Sequence, residues 1–284
     1  MQLSNGIITA EVQVAGAELT ELAALGSSNC LWTPDPVYWN RVAPLLFPIV
    51  GRLKQDQMTI GGTSYGMRQH GFARDCDFDL RIQNEHRLVL GLNDSVQTRE
   101  QFPFSFDLEV EYRLEAERIW VVYRVQNSGP VTLPFSIGAH PGFALQGGLS
   151  GHQLEFDKAL HADRHLIHEG LYTGETQACL THQNTLDLDS ADFEHDAIVL
   201  KHSGLACVRL QGPNGPIAEM GLRDAADFPY WGFWTKPGAP FFCLEPWAGL
   251  ADSTLASGEF MEKEGLVLLQ AGAMREFAYW IRPF

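Results

Sequence analysis

The chain has 284 residues, 45 % of them hydrophobic and 19 % charged, which is ordinary for a globular protein with a sizeable core. Its 20 basic against 35 acidic residues give a formal charge of −15. That balance argues against a general basic surface for nucleic acid or anionic membrane and favours a neutral or cationic ligand, or an anion only where a local basic pocket holds it.

Taken in chain order, period-2 alternation dominates. Ile8, Ala10, Val12 and Val14 alternate with Thr9, Glu11 and Gln13, the pattern of a half-buried strand. Residues 17–25 are rich in Ala, Leu and Glu and by propensity suggest a short helix, although one too short to persist alone. Phe78, Leu80 and Ile82 alternate again, as do Leu108, Val110, Tyr112 and Leu114, and residues 119–125 read as the hairpin partner of the latter. His161, His165 and His168 are spaced by four and three, which on a helix would put three imidazoles on one face within reach of zinc. No H-E-x-x-H accompanies them, and an exposed His-rich loop is the plainer expectation. Residues 209–220 enclose Pro213-Asn214-Gly215, a hairpin turn signal. Residues 275–281 close the chain with another alternating strand. Many short strands with turn signals between them predict a mostly antiparallel all-β sandwich or barrel with few short helices. No repeat or linker divides residues 1–284, so a single domain is expected.

The opening Met1-Gln2-Leu3-Ser4-Asn5-Gly6 has neither the basic start nor the apolar core of a secretion signal, and no apolar run approaches the roughly 20 residues that span a bilayer. Five dispersed cysteines without a C-x-x-C suggest buried free thiols in a reducing compartment. The expectation is a cytoplasmic protein, monomer or homodimer, without nucleic-acid or membrane partners. No P-loop, dinucleotide fingerprint or G-x-S-x-G elbow is present.

Four segments place titratable groups beside Gly or Pro: Val50-Gly51-Arg52-Leu53, Gln69-His70-Gly71-Phe72-Ala73-Arg74, Gly138-Ala139-His140-Pro141-Gly142-Phe143 and Leu244-Glu245-Pro246-Trp247. His140 and Glu245 each precede a proline, whose ring holds the preceding residue in extended geometry. Each also ends an apolar run, and buried charge is costly unless paired. Together the set can move protons on a neutral polar ligand.

In order and texture these segments, with residues 40–53 as a whole, resemble the aldose 1-epimerase (galactose mutarotase) family, most closely its short bacterial LacX-like branch. The resemblance spans nearly the whole chain. It implies a β-supersandwich of the galactose mutarotase-like type and interconversion of the α and β anomers of a free aldose, with no metal or organic cofactor. By the same resemblance Glu245 is the base, His140 the acid, and Arg52 and His70 bind sugar hydroxyls or the ring-oxygen side. Asp196 matches a sugar-binding aspartate, with Asp187, Asp189 and Asp192 as competitors. Carboxylate and imidazolium are expected to favour each other's charged form. Among Trp32, Trp231, Trp234 and Trp247 the sequence does not say which face a ligand. Two alternatives stay open: a carbohydrate-binding or sensing protein without turnover, and a hexose-6-phosphate mutarotase using Arg41, Arg68 or Arg74.

Overall fold

The structure, a computed structural model, describes residues 1–194 and 196–284. Two antiparallel sheets carry it. The larger has nine strands in the order Leu171–Asp187, Gln153–His168, Cys207–Gly212, Gly215–Leu222, Met274–Pro283, Arg118–Gln126, Asp107–Glu115, Arg87–Asn93 and Asp79–Gln83. The smaller runs Ile198–Lys201, Tyr230–Trp234, Phe241–Ala248, Ile137–Ala139 and Leu45–Leu46, with Gly142–Ala144 also pairing to Phe241–Ala248. One continuous apolar core joins the inward faces of both, including Val121, Val208 and Met220 from the first and Ile137, Phe233 and Leu244 from the second. The mostly antiparallel all-β sandwich with few short helices expected from the sequence is therefore the fold.

The predicted hairpin of residues 107–126 forms in register, Leu114 opposite Ile119 and Leu108 opposite Val125. The Pro213-Asn214 turn joins Cys207–Gly212 to Gly215–Leu222. Neither helical possibility holds, and the His-rich loop expected at residues 161–168 does not form; both segments are strands instead. Residues 19–24 form a strand paired to Ile8–Val12, because Leu19 and Leu22 bury against the core only in that pairing; helix propensity is too weak a preference to resist it. His161, His165 and His168 lie on the long strand Gln153–His168, where successive side chains alternate faces, so no helical face gathers them. His161 instead stacks on His182 of the neighbouring strand, ring centroids 5.1 Å apart. All five cysteines are free thiols, with Cys30 and Cys243 buried. Among the described residues no helix is long and apolar enough to cross a membrane.

The strand Phe241–Ala248 is buried at every position, on both faces. Phe242, Leu244 and Ala248 enter the inter-sheet core. By period 2, Phe241, Cys243, Glu245 and Trp247 point to the outer face of the smaller sheet. Gly138 and His140 share that outer face, since Ile137 and Ala139 enter the core.

Candidate active site

On that outer face lies a cleft of about 400 Å³, lined by His70, His140, Asp196 and Glu245 among others, within the usual size range of small-molecule sites. A smaller hollow of about 140 Å³, beside the buried Asp252–Lys263 ion pair, contains none of Arg52, His70, His140 and Glu245.

Glu245 stands in the cleft floor at 1 % exposure, with Oε2 3.2 Å from His140 Nε2. The contact is close but not aligned as a hydrogen bond, since Oε2 has no hydrogen-bonding partner among the described residues. His140 is boxed by aromatic rings: Trp39 stacks on it at 4.9 Å, Trp234 meets it edge-on at 5.4 Å and His70 at 5.5 Å. Trp247 fits between two glycines of the flanking strands. A Cβ at Gly232 would lie 2.4 Å from the indole, and one at Gly138 2.6 Å.

His70 is held by a reciprocal pair of bonds to Gly51. Its backbone N–H donates to Gly51 O at 2.8 Å, and Gly51 N–H donates to His70 Nδ1 at 3.1 Å. That second bond fixes Nδ1 as acceptor, so the neutral ring carries its hydrogen on Nε2. Gly71 permits the arrangement, having φ +72° and a close approach in which any Cβ would strike Phe47 O at 2.2 Å.

The electrostatics reverse the expectation for the pair. Burial pushes the His140 imidazole down to about 3, with the Arg74 guanidinium adding to the effect. Burial, reinforced by Asp196, pushes the Glu245 carboxyl well above the carboxylate range. The Trp247 indole is near enough to favour the Glu245 anion, yet its N–H misses hydrogen-bond geometry. Desolvation is the largest influence on each, and it disfavours the charged form of both groups. With both groups uncharged the pair holds one proton, the count an ion pair would hold, only on the other partner. Burial, with His140 and Arg74 nearby, likewise drives the His70 pKa down and keeps that ring neutral.

Asp196 lines the cleft, and burial raises its pKa against the backbone N–H of Ala197, which donates to it at 2.7 Å. None of its three competitors lines the cleft: Asp187 ends the strand Leu171–Asp187 in an exposed position, Asp189 accepts from Ala191 N–H in a turn, and Asp192 pairs with Arg164. Arg52 stands apart from the cleft wall. Its guanidinium grips Asp56 through Nε at 2.8 Å and Nη2 at 2.9 Å and donates to Glu169 O at 3.2 Å. Arg52 therefore clamps the turn of the long hairpin whose residues Ile167, Gly170 and Tyr172 wall the cleft, instead of presenting free donors to it.

Sequence reasoning missed several lining residues. Tyr172 enters on that hairpin, its backbone bound to Asp252 O and Thr254 N–H, and its buried hydroxyl makes no hydrogen bond to the described residues. Nothing local to Tyr172 announces this; the position is made by the tertiary docking of the hairpin. Trp39 adjoins the matched segment 40–53, a signal that was available. Of the four candidate tryptophans, Trp234 and Trp247 line the cleft, while Trp231 fills the core and Trp32 packs on Phe241. Arg74 lines the cleft too. It donates to Gln69 O at 2.6 Å, its buried Nε has no partner, and no carboxylate among the described residues pairs with it. Burial and the nearby Arg41 guanidinium lower its pKa to about 10.

A family model described as aldose 1-epimerase matches residues 1–267. The chain belongs to the aldose 1-epimerase family. Among curated relatives of this family, the chromosomal LacX protein of Lactococcus lactis subsp. lactis is 32 % identical over 280 residues, covering 92 % of this chain and 91 % of the relative. Among solved structures, a galactose mutarotase related enzyme from Lactobacillus acidophilus superposes with TM-score 0.94 at 28 % identity, covering 100 % of this chain and 97 % of that one. A galactose mutarotase-like protein from Lactobacillus casei gives 0.92 at 29 % identity, covering 100 % and 99 %. Aldose 1-epimerase family membership makes an isomerase the coarse expectation for this cleft.

Proposed function

We propose that the protein is an aldose 1-epimerase that interconverts sugar anomers by opening and reclosing the cyclic hemiacetal, with Glu245 and His140 as its acid–base pair and no metal or organic cofactor. The observation that carries this reading is the 3.2 Å contact of His140 Nε2 with Glu245 Oε2 on the floor of a small-molecule cleft. Around it converge buried polar atoms that the protein itself does not satisfy: Arg74 Nε, His140 Nδ1, Tyr172 OH, Glu245 Oε2 and Trp247 Nε1. Buried polar atoms are costly unless paired, and a polyhydroxylated ligand supplies both donors and acceptors.

In the ionised tautomer of the pair, Glu245 takes the proton of the anomeric hydroxyl while His140 gives one to the ring oxygen. The C1–O5 bond breaks and C1 becomes an aldehyde. Rotation about C1–C2 presents the other carbonyl face. The O5 hydroxyl then adds to C1, returning its proton to His140, while Glu245 protonates the new anomeric oxygen. Protons, atoms and charges return to their starting count. Neutral His70 offers its Nε2–H to a sugar oxygen, and Asp196 accepts from a hydroxyl.

Arg74 favours a second reading, a phosphorylated hexose, because an arginine in a cleft with no carboxylate partner suits an anionic substituent. Anomer-exchange measurements over glucose, galactose, xylose, arabinose and hexose 6-phosphates test both. Exchange accelerated above the spontaneous rate for neutral sugars supports the main reading. Acceleration confined to phosphates, and lost in Arg74→Met, supports the second. A protein that binds sugars yet leaves every spontaneous rate unchanged is a binder or sensor.

A further inference from the structure

The mechanism leaves one buried group beneath the cleft without a role, the Cys243 thiol, packed in an apolar cluster with Trp32 and Phe241. Two residues before Glu245 on the same strand, it shares the outer face with it. One ligand atom each from His140, Cys243 and Glu245 lie within 4.8 Å of one another, and all three residues are buried. We propose that these three side chains form an inhibitory site for a soft or borderline divalent transition metal ion, of which Zn²⁺ is the type.

Donor chemistry, spacing and charge carry the inference. Imidazole, thiolate and carboxylate are the usual ligands of zinc, at about 2.0–2.3 Å from the metal, so tetrahedral donors lie about 3.4 Å apart. The His140–Glu245 separation already matches at 3.2 Å. The sulfur, within 4.8 Å of the other two donor atoms, closes the set with a shift of at most about 1.4 Å. Binding releases the thiol proton and the single proton of the His140–Glu245 pair. The resulting thiolate and carboxylate neutralise the dication, and Asp196 adds negative charge beside Glu245. Hard Mg²⁺ and Ca²⁺ prefer oxygen ligands and gain little here. The fourth position opens to the cleft through His140 and Glu245, which line it. A metal so placed takes the lone pairs that proton transfer uses, so occupancy silences turnover.

The test does not depend on the catalytic reading. Under reducing conditions, Co²⁺ added to the purified protein should give a thiolate-to-cobalt charge-transfer band saturating at one equivalent and bleached by Zn²⁺. Cys243→Ser should abolish the band and weaken zinc binding by at least about 10–100-fold, the loss typical of even an outer-shell partner. His161→Ala, which removes the surface His161–His182 pair, should leave the band intact. Where anomerisation is measurable, one equivalent of Zn²⁺ should suppress it and EDTA restore it, while Cys243→Ser turns over and resists zinc. Cys243→Ala replaces the serine variant if that one misfolds. Folded wild-type protein that gives no charge-transfer band, or a band that survives loss of Cys243, overturns the site.

Discussion

Replacing Glu245 by Gln tests the acid–base pair at its centre. The amide is nearly isosteric, and the site it enters is 1 % exposed and closed by well-packed aromatic rings. Its N–H₂ group faces His140 Nε2, which at neutral pH is an unprotonated acceptor 3.2 Å away. Circular dichroism and sugar affinity should therefore survive, and removing a group that burial already forces out of its charged state should not lower thermal stability. What is lost is the proton acceptor, typically about 10²–10⁴-fold in rate, or about 2.7–5.4 kcal/mol of transition-state stabilisation. His140→Asn should cost a similar factor, and the double variant little more than either, since both groups serve one proton relay. The pH profile sharpens the test. With the pair holding one proton, the acid limb is the gain of a second, as His140 is protonated towards pH 3. The alkaline limb is the loss of the last proton, as Glu245 ionises above its usual range. The plateau should span neutrality, and the limbs belong to opposite partners from those a carboxylate–imidazolium pair would show. Exchange NMR between anomers reads both kcat and the profile. Near-wild-type turnover in folded Glu245→Gln would refute the reasoning.

Other substitutions separate contact from support. His70→Ala should lower kcat/KM by one to two decades, the worth of a hydrogen bond of about 1.5–3 kcal/mol to a developing charge, with fold retained by circular dichroism. Arg52→Ala should act through the hairpin turn, raising KM and the proteolysis rate near Gly170, with Arg52→Lys giving partial rescue; a kcat loss with the turn still protected would put Arg52 in the chemistry. Tyr172→Phe should keep stability and weaken binding of sugars by a few-fold, read by calorimetry, since its hydroxyl has no protein partner to lose. Stability should fall on acidification, because an unfolded histidine takes its proton near 6.5 whereas folded His140 waits until about 3. His140 alone contributes a loss of about 1.4 kcal/mol per pH unit below 6.5. Above pH 4.5 the raised Glu245 opposes it, since the folded carboxyl keeps a proton that the unfolded one gives up. The net loss from the pair therefore lies between pH 4.5 and 3, and urea unfolding of His140→Gln should show a shallower decline.

The strands were legible where one face is buried: alternation at Leu108, Val110, Tyr112 and Leu114 fixes both extent and register of their hairpin. It was less informative at residues 79–83, an edge strand whose Leu80 and Ile82 are exposed although they alternate with charges. It failed at residues 19–24, where a local preference met a tertiary pairing. His140 and Glu245 were readable as residues through their Pro and apolar contexts, and only the fold brings them together across 105 positions (245 − 140). The sense of their pKa shifts was not readable, because sequence shows that two charges attract and conceals how completely water is excluded. Arg52 shows the same limit: its motif names the residue, while Asp56, one turn later in sequence, decides where the guanidinium is spent.

The seating of Trp247 between Gly138 and Gly232 couples three positions far apart in the chain. Neither glycine can gain a side chain while the indole is present, and the indole cannot shrink without leaving a void beneath Glu245. Across related sequences these three sites should therefore vary as a block: lineages that replace the tryptophan are released to accept alanine or larger at both glycine positions, and lineages that keep it are not. A search that scores the trio jointly would separate members that retain the floor of this cleft from members that have rebuilt it, without any knowledge of their sugars.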